Sequence, residues 1–87
     1  MRKKGITKER IELGERIRIL RKRQDYCQES LAEVLEISPM TLSRIENGVT
    51  SLDVELLLKL SEALDTPVDV ILGLNGEVKI RRKTKLK

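Results

Sequence analysis

The sequence predicts an all-α domain of five helices. Three observations carry this. Apolar residues recur at helical spacing through residues 8–72, only two prolines and five glycines interrupt the chain, and the interruptions coincide with cap and stop residues. Five helices in that span leave no room for a sheet.

Leu13, Ile17 and Leu20 lie at i, i+4 and i+7, so a first helix is expected from about Thr7 to Gln24, with Asp25 as a tolerable left-handed stop. Gly14 inside it costs ~1 kcal/mol relative to Ala, which implies close packing against a neighbour. Residues 28–35 place Leu31, Ala32 and Leu35 on one face of a second helix, with Cys27 as a cap poorer than Ser or Thr. Ser38-Pro39 starts a third helix: a hydroxyl cap is followed by Pro at the first helical position. Leu42 and Ile45 point it inward, and Asn47-Gly48 stops it. Asp53 caps a fourth helix whose buried stripe is expected to be Val54, Leu57, Leu60, Ala63 and Leu64. Thr66-Pro67 repeats the cap-and-proline signal for a short fifth helix through Leu72, stopped at Gly73. Beyond Gly76, Val78-Lys79-Ile80-Arg81 alternates like a short edge strand, but six cations in nine residues favour a disordered, solvated tail.

Composition excludes several function classes. A chain of 87 residues and 10.0 kDa fills one core. One Tyr, with no Phe or Trp, argues against modules that stack single-stranded bases on aromatic platforms. The absence of His removes Ser-His and Cys-His catalysis and His-containing zinc sites. A lone Cys makes no internal disulfide, which suits a reduced, cytoplasmic protein. No apolar run approaches the roughly 18 residues of a membrane helix, and no secretory segment follows Met1. No Gly-rich phosphate loop, nucleophile elbow or metal-ligand spacing occurs, so no cofactor, metal, small-molecule ligand or catalytic residue is expected and the chain is read as a non-enzyme.

The net charge is +4, yet it is unevenly placed. Residues 1–6 carry +3 and residues 76–87 carry +5, which leaves −4 on residues 7–75. The expected organisation is a basic N-terminal tail over 1–6, a helical domain over 7–73 and a basic C-terminal tail over 74–87. Net charge alone therefore gives weak support for nucleic-acid binding. One basic cluster, Arg16, Arg18, Arg21, Lys22 and Arg23, lies inside the domain at the end of the first helix, where cations also match the helix dipole.

The second and third helices, joined by a tight turn, have the spacing of a helix-turn-helix. The stretches Leu13-Gly14-Glu15-Arg16-Ile17-Arg18, Leu20-Arg21 and Gln28-Glu29-Ser30-Leu31-Ala32 resemble the Cro/phage-repressor (XRE-type) helix-turn-helix family. So do Ser38, Leu42-Ser43-Arg44-Ile45-Glu46-Asn47-Gly48 and Leu57-Leu58-Lys59-Leu60-Ser61-Glu62-Ala63-Leu64. The match keeps its register over residues 12–73. It implies a compact, lambda-repressor-like domain acting as a sequence-specific double-stranded-DNA-binding transcriptional regulator. The recognition helix, 39–46, would enter the major groove, and the protein would bind as a homodimer.

Carried over residue by residue, the resemblance turns Pro39 and Met40 toward base edges, with Thr41, Ser43 and Arg44 on or beside the same face. Arg44 is the expected direct reader, because its fork bonds guanine O6 and N7 together; Met40 offers apolar contact, for example to a thymine methyl. Gln28 is similar to the family's phosphate-binding glutamine, and Ser38 and Asn47 are further phosphate candidates, with local capping as the plainer role for both. Arg18 and Lys22 are the phosphate candidates of the basic cluster. Arg21 and Glu46 match a partly buried ion pair of structural rather than base-reading role.

The chain departs from the family pattern in three places. Glu36 stands where the family usually has Gly, so a reshaped turn is expected. The loop Val49-Thr50-Ser51-Leu52 lacks the usual cation, and Glu29, Glu33 and Glu36 add negative charge around the second helix. These features keep open an alternative: an antitoxin-like or adaptor interaction module with weak or no DNA binding. Leu56 and Val68, with Val78 and Ile80 in the tail, are the apolar positions expected to be exposed for a dimer contact.

Overall fold

The computed structural model describes residues 7–74. The assignments of residues 1–6 and 75–87 as tails, and of Val78 and Ile80 as contact residues, fall outside that range. Within it the order is α1 (Lys8–Arg23), α2 (Gln28–Leu35), α3 (Pro39–Glu46), α4 (Val54–Leu64) and α5 (Val68–Ile71). The helical spacing of the sequence is realised as five helices, with no strand among the described residues.

Each helix end has a local cause. Thr7, Ser38 and Asp53 cap α1, α3 and α4 by accepting from the N–H three residues on, at 3.1, 3.0 and 2.8 Å. Cys27 caps α2 better than its type suggests, because Ser30 completes a capping box: the Ser30 N–H donates to Sγ, and the Ser30 hydroxyl accepts from the Cys27 N–H. At the other ends, one left-handed residue follows each helix: Asp25, Glu36, Gly48, Asp65 and Gly73. The next residue's N–H then bonds the carbonyl five back: Tyr26 to Arg21, Ile37 to Ala32, Val49 to Arg44, Thr66 to Ser61 and Leu74 to Asp69. All five helices thus end in the same closing turn. Glu36 adopts φ 64°, so the turn after α2 keeps its left-handed form rather than being reshaped.

The core is Ile17 of α1, Leu31, Ala32 and Leu35 of α2, Leu42 and Ile45 of α3, Leu60 and Leu64 of α4, and Ile71 of α5. Each buried Leu or Ile contributes about 1.5–3 kcal/mol, and the cluster joins all five helices. Here α3 packs on both α1 and α2, α2 on α4, and α5 on α4 and α1. Arg16 adds a polar tie, donating from Nε and Nη2 to the Ile71 and Leu72 carbonyls at the end of α5 (2.8 and 2.9 Å).

Four sequence expectations need correction. Val54 is 72% exposed rather than buried. Residues spaced by three fall about 60° short of a full turn at each step, so the stripe drifts and Val54 lies outside it. Leu56 is half-buried against the core and Val68 is also half-buried, so neither is a free apolar contact. Thr66 does not cap α5: its hydroxyl turns back to the Leu64 carbonyl, and Pro67 itself occupies the cap position.

Candidate nucleic-acid interface

The short α3 has two sharply different faces. Leu42, Ile45 and Glu46 are buried, anchoring one side against α1 and α2. At about 100° per residue, Met40, Arg44 and Asn47 fall on the opposite pole, and all three are exposed, Met40 by 63%. Thr41 and Ser43 are half-buried flanks of that pole, and Pro39 is exposed at the helix start. The Arg44 side chain makes no hydrogen bond or ion pair among the described residues. Its guanidinium is an exposed cation on a helix anchored by its other side.

A buried polar network sets how α3 is held. Arg21 at the end of α1 donates from Nε to Glu46 Oε2 at 2.7 Å and from Nη2 to Oε1 at 3.1 Å. Its remaining nitrogen, Nη1, donates to the Tyr26 carbonyl at 3.0 Å, tying in the loop before α2. Gln28 Nε2 donates to the same Glu46 Oε1 at 2.9 Å. One carboxylate therefore gathers the end of α1, the start of α2 and the end of α3. A forked pair of this kind is worth keeping intact, because losing either partner strands a buried charge.

The sequence placed Gln28 at the phosphate backbone and did not foresee the bond to Glu46. The structure commits the amide nitrogen of Gln28 inward, to Glu46 Oε1. Only the carboxylate's position, 18 residues on, could have signalled the inward bond.

The other assigned residues divide by what already holds them. Ser38 Oγ accepts from the Thr41 N–H, and the two hydroxyls lie 2.8 Å apart, so the cap absorbs part of both. Asn47 Nδ2 leans on Ser43 Oγ at 3.5 Å, a long contact at the limit of hydrogen bonding. Arg18 is half-buried and Lys22 is exposed, and neither side chain has a hydrogen bond or ion pair among the described residues. The five-cation cluster read from the sequence shrinks here. Arg16 is spent on α5 and Arg21 on Glu46, which leaves Arg18, Lys22 and Arg23 facing outward.

Electrostatics at the start of α2 are mixed. Glu29 and Glu33 are exposed, and Glu36 pairs at the surface with Lys59 at 3.3 Å. The Ser30 hydroxyl, then the Ser30 N–H, hold the Cys27 thiol below its ordinary pKa. Among the described residues no group of three or more His, Cys, Asp or Glu is placed to hold a metal ion. No described helix is long and apolar enough to cross a membrane.

Comparison with known proteins follows the same geometry. The helix-turn-helix family model matches residues 17–71. The chain is 44% identical over 50 residues to the HTH-type transcriptional regulator RamB of Mycobacterium tuberculosis, covering 58% of this chain and 10% of that protein. It is 35% identical over 74 residues to the HTH-type transcriptional regulator ImmR of Bacillus subtilis, covering 85% of this chain and 58% of that one. It thus spans a tenth of one curated relative and somewhat over half of the other. The P22 c2 repressor, solved in complex with a synthetic operator, superposes with a TM-score of 0.67 at 35% identity, covering 71% of this chain and 94% of that one. Fold, motif register and family match agree, and the chain belongs to the helix-turn-helix family, in its Cro/phage-repressor-like, XRE-type branch.

Proposed function

We propose that this chain is a sequence-specific double-stranded-DNA-binding transcriptional regulator, working in the cytoplasm as a homodimer, with α3 laid in the major groove. The observation that carries the reading is the outward pole of α3. The side chains of Met40 and Arg44 are exposed without an internal polar partner, beside an Asn47 that leans on Ser43, on a helix whose other side is held by Leu42, Ile45 and the Glu46 network. A fold that rigid needs no rearrangement to present an arginine fork to a guanine edge. Pro39, Thr41 and Ser43 flank the base-reading ridge. Gln28, Ser38, Asn47, Arg18 and Lys22 supply the phosphate contacts, and two subunits meet half-sites about 34 Å apart. The relatives named as transcriptional regulators, and the repressor solved on its operator, support the same reading.

Fluorescence titration of the full chain against duplex DNA at several salt concentrations tests it, together with selection from a random duplex library. Salt-sensitive binding and a recovered consensus are expected. Lys22→Ala should weaken binding to all sequences alike and reduce the salt slope by about 1.

A second reading, an interaction module that keeps the fold, is favoured by one observation: residues 7–75 carry a net charge of −4. A folded dimer that binds no duplex even at low salt would establish it in place of the first.

A further inference from the structure

We propose that the groove between the start of α1 and the end of α5 receives the chain's own basic segment, residues 76–87, docked in cis. The groove holds about 240 Å³ and is lined by Glu9, Glu12, Leu13 and Arg16 of α1 with Leu72 and Gly73 after α5. Leu13 and Leu72 give it an apolar wall, each only half-buried. Of its three charged residues, the cation is already spent, since the Arg16 guanidinium donates to the Ile71 and Leu72 carbonyls at 2.8 and 2.9 Å. The carboxylates are not. The side chains of Glu9 and Glu12 are exposed and have no hydrogen bond or ion pair among the described residues.

Where the described residues stop, and the charge that follows, choose the occupant. Gly73 lines the groove, and Leu74 comes next, 62% exposed. Residues 76–87 then carry Lys79, Arg81, Arg82, Lys83, Lys85 and Lys87 against Glu77, a net +5, whereas residues 1–6 carry +3. An extended chain spans at most about 3.5 Å per residue, so Lys79 can stand up to about 17 Å from Leu74. Glu9 and Glu12 are about 4.5 Å apart along the axis of α1, in a groove that Gly73 itself lines, so both fall within that reach. Val78 and Ile80 sit among the cations and match the apolar wall of Leu13 and Leu72. A single exposed ion pair is weak. The segment is tethered beside the groove, however, and a short tether acts as a local concentration on the order of millimolar. Docked in this way, the segment keeps its cations from other anions until salt or a competing polyanion releases it.

Zero-length carbodiimide cross-linking of the full chain tests this. Natural and isotope-labelled protein are mixed in equal parts, so that mass spectrometry separates links within a chain from links between chains. The surface pair Lys59–Glu36, 3.3 Å apart, is the internal standard for the chemistry. Glu9 or Glu12 should join Lys79 or Lys83 within one chain, with a yield about fivefold above that of the exposed Glu29 and Glu33. A second measurement needs no cross-linker. Combining Lys79→Ala, Arg81→Ala, Arg82→Ala and Lys83→Ala should shift the amide resonances of Glu9, Glu12 and Leu13, which lie far away in sequence, and leave those of α2 in place. Links from Glu9 and Glu12 to Lys3 or Lys4 alone, links only between chains, or yields no higher than at Glu29 and Glu33 overturn the docking. So do resonances of Glu9, Glu12 and Leu13 that the fourfold variant leaves unmoved. None of these outcomes involves DNA, so each leaves the regulator reading standing.

Discussion

Gly14 of α1 lies directly against the Ile45 carbonyl of α3, where a Cβ would stand 2.5 Å from the oxygen. The glycine's absent side chain is what lets α1 approach the end of the recognition helix. The cost of Gly in a helix, ~1 kcal/mol, is offset by that approach. Because the obstruction is backbone, it cannot swing aside as a side chain would. Gly14→Ala is expected to lose about 1–3 kcal/mol on balance despite its better helix propensity. Urea unfolding measures this, and an unchanged midpoint would mean the helices do not meet there.

Glu46 accepts from Arg21 twice in a buried setting and from Gln28 once in a part-buried one. Glu46→Ala should cost about 3–5 kcal/mol, since it strands the guanidinium of Arg21 away from water. Replacing Arg21 and Glu46 together with Met should cost clearly less than the two single losses added. A double-mutant cycle in urea reads the difference. Additive costs would show that the pair is not coupled.

Glu36 holds φ 64° between the two helices of the motif, a conformation in which a Cβ crowds the backbone. Comparing Glu36→Gly with Glu36→Ala isolates that strain, because both remove the surface pairing with Lys59. The glycine variant should be more stable than the alanine variant by about 1 kcal/mol. Thermal melts of the two proteins decide it, and equal midpoints would argue for an unstrained turn.

Cys27 is exposed, and the hydroxyl and N–H of Ser30 favour its thiolate. Alkylation by iodoacetamide should rise at a lower pH than for an ordinary thiol, and Ser30→Ala should move the profile upward. The sign for stability follows from the same depression. The capping advantage of the thiolate is present above the thiol's unfolded pKa and is lost as pH falls through its folded value. A profile that Ser30→Ala leaves in place would assign the lowering to another cause.

Much of the fold was legible because helix ends are local events. Thr7 begins α1, Asp53 caps α4, Pro39 opens α3 and Asp25, Gly48 and Gly73 take left-handed stops within a few residues of the groups they satisfy. Spacing alone was less reliable for burial. It put Val54 inside and left Leu56 and Val68 outside, because a helical repeat gives phase but not what the neighbouring helices cover. Thr66 misled for a related reason: its hydroxyl had two carbonyl or N–H choices within reach, and took the Leu64 carbonyl.

By itself the sequence determined the five helices and their order, since each depends on residues within a turn or two of one another; the outward placement of Met40 and Arg44 was what the family resemblance implied. Only the tertiary structure decided which of these side-chain donors are spent inside the protein. Arg16 reaches the carbonyl of Ile71, 55 residues away, and Gln28 turns to Glu46, 18 residues away. A buried acceptor must find its donor wherever packing brings one, and that pairing is a property of the assembled helices.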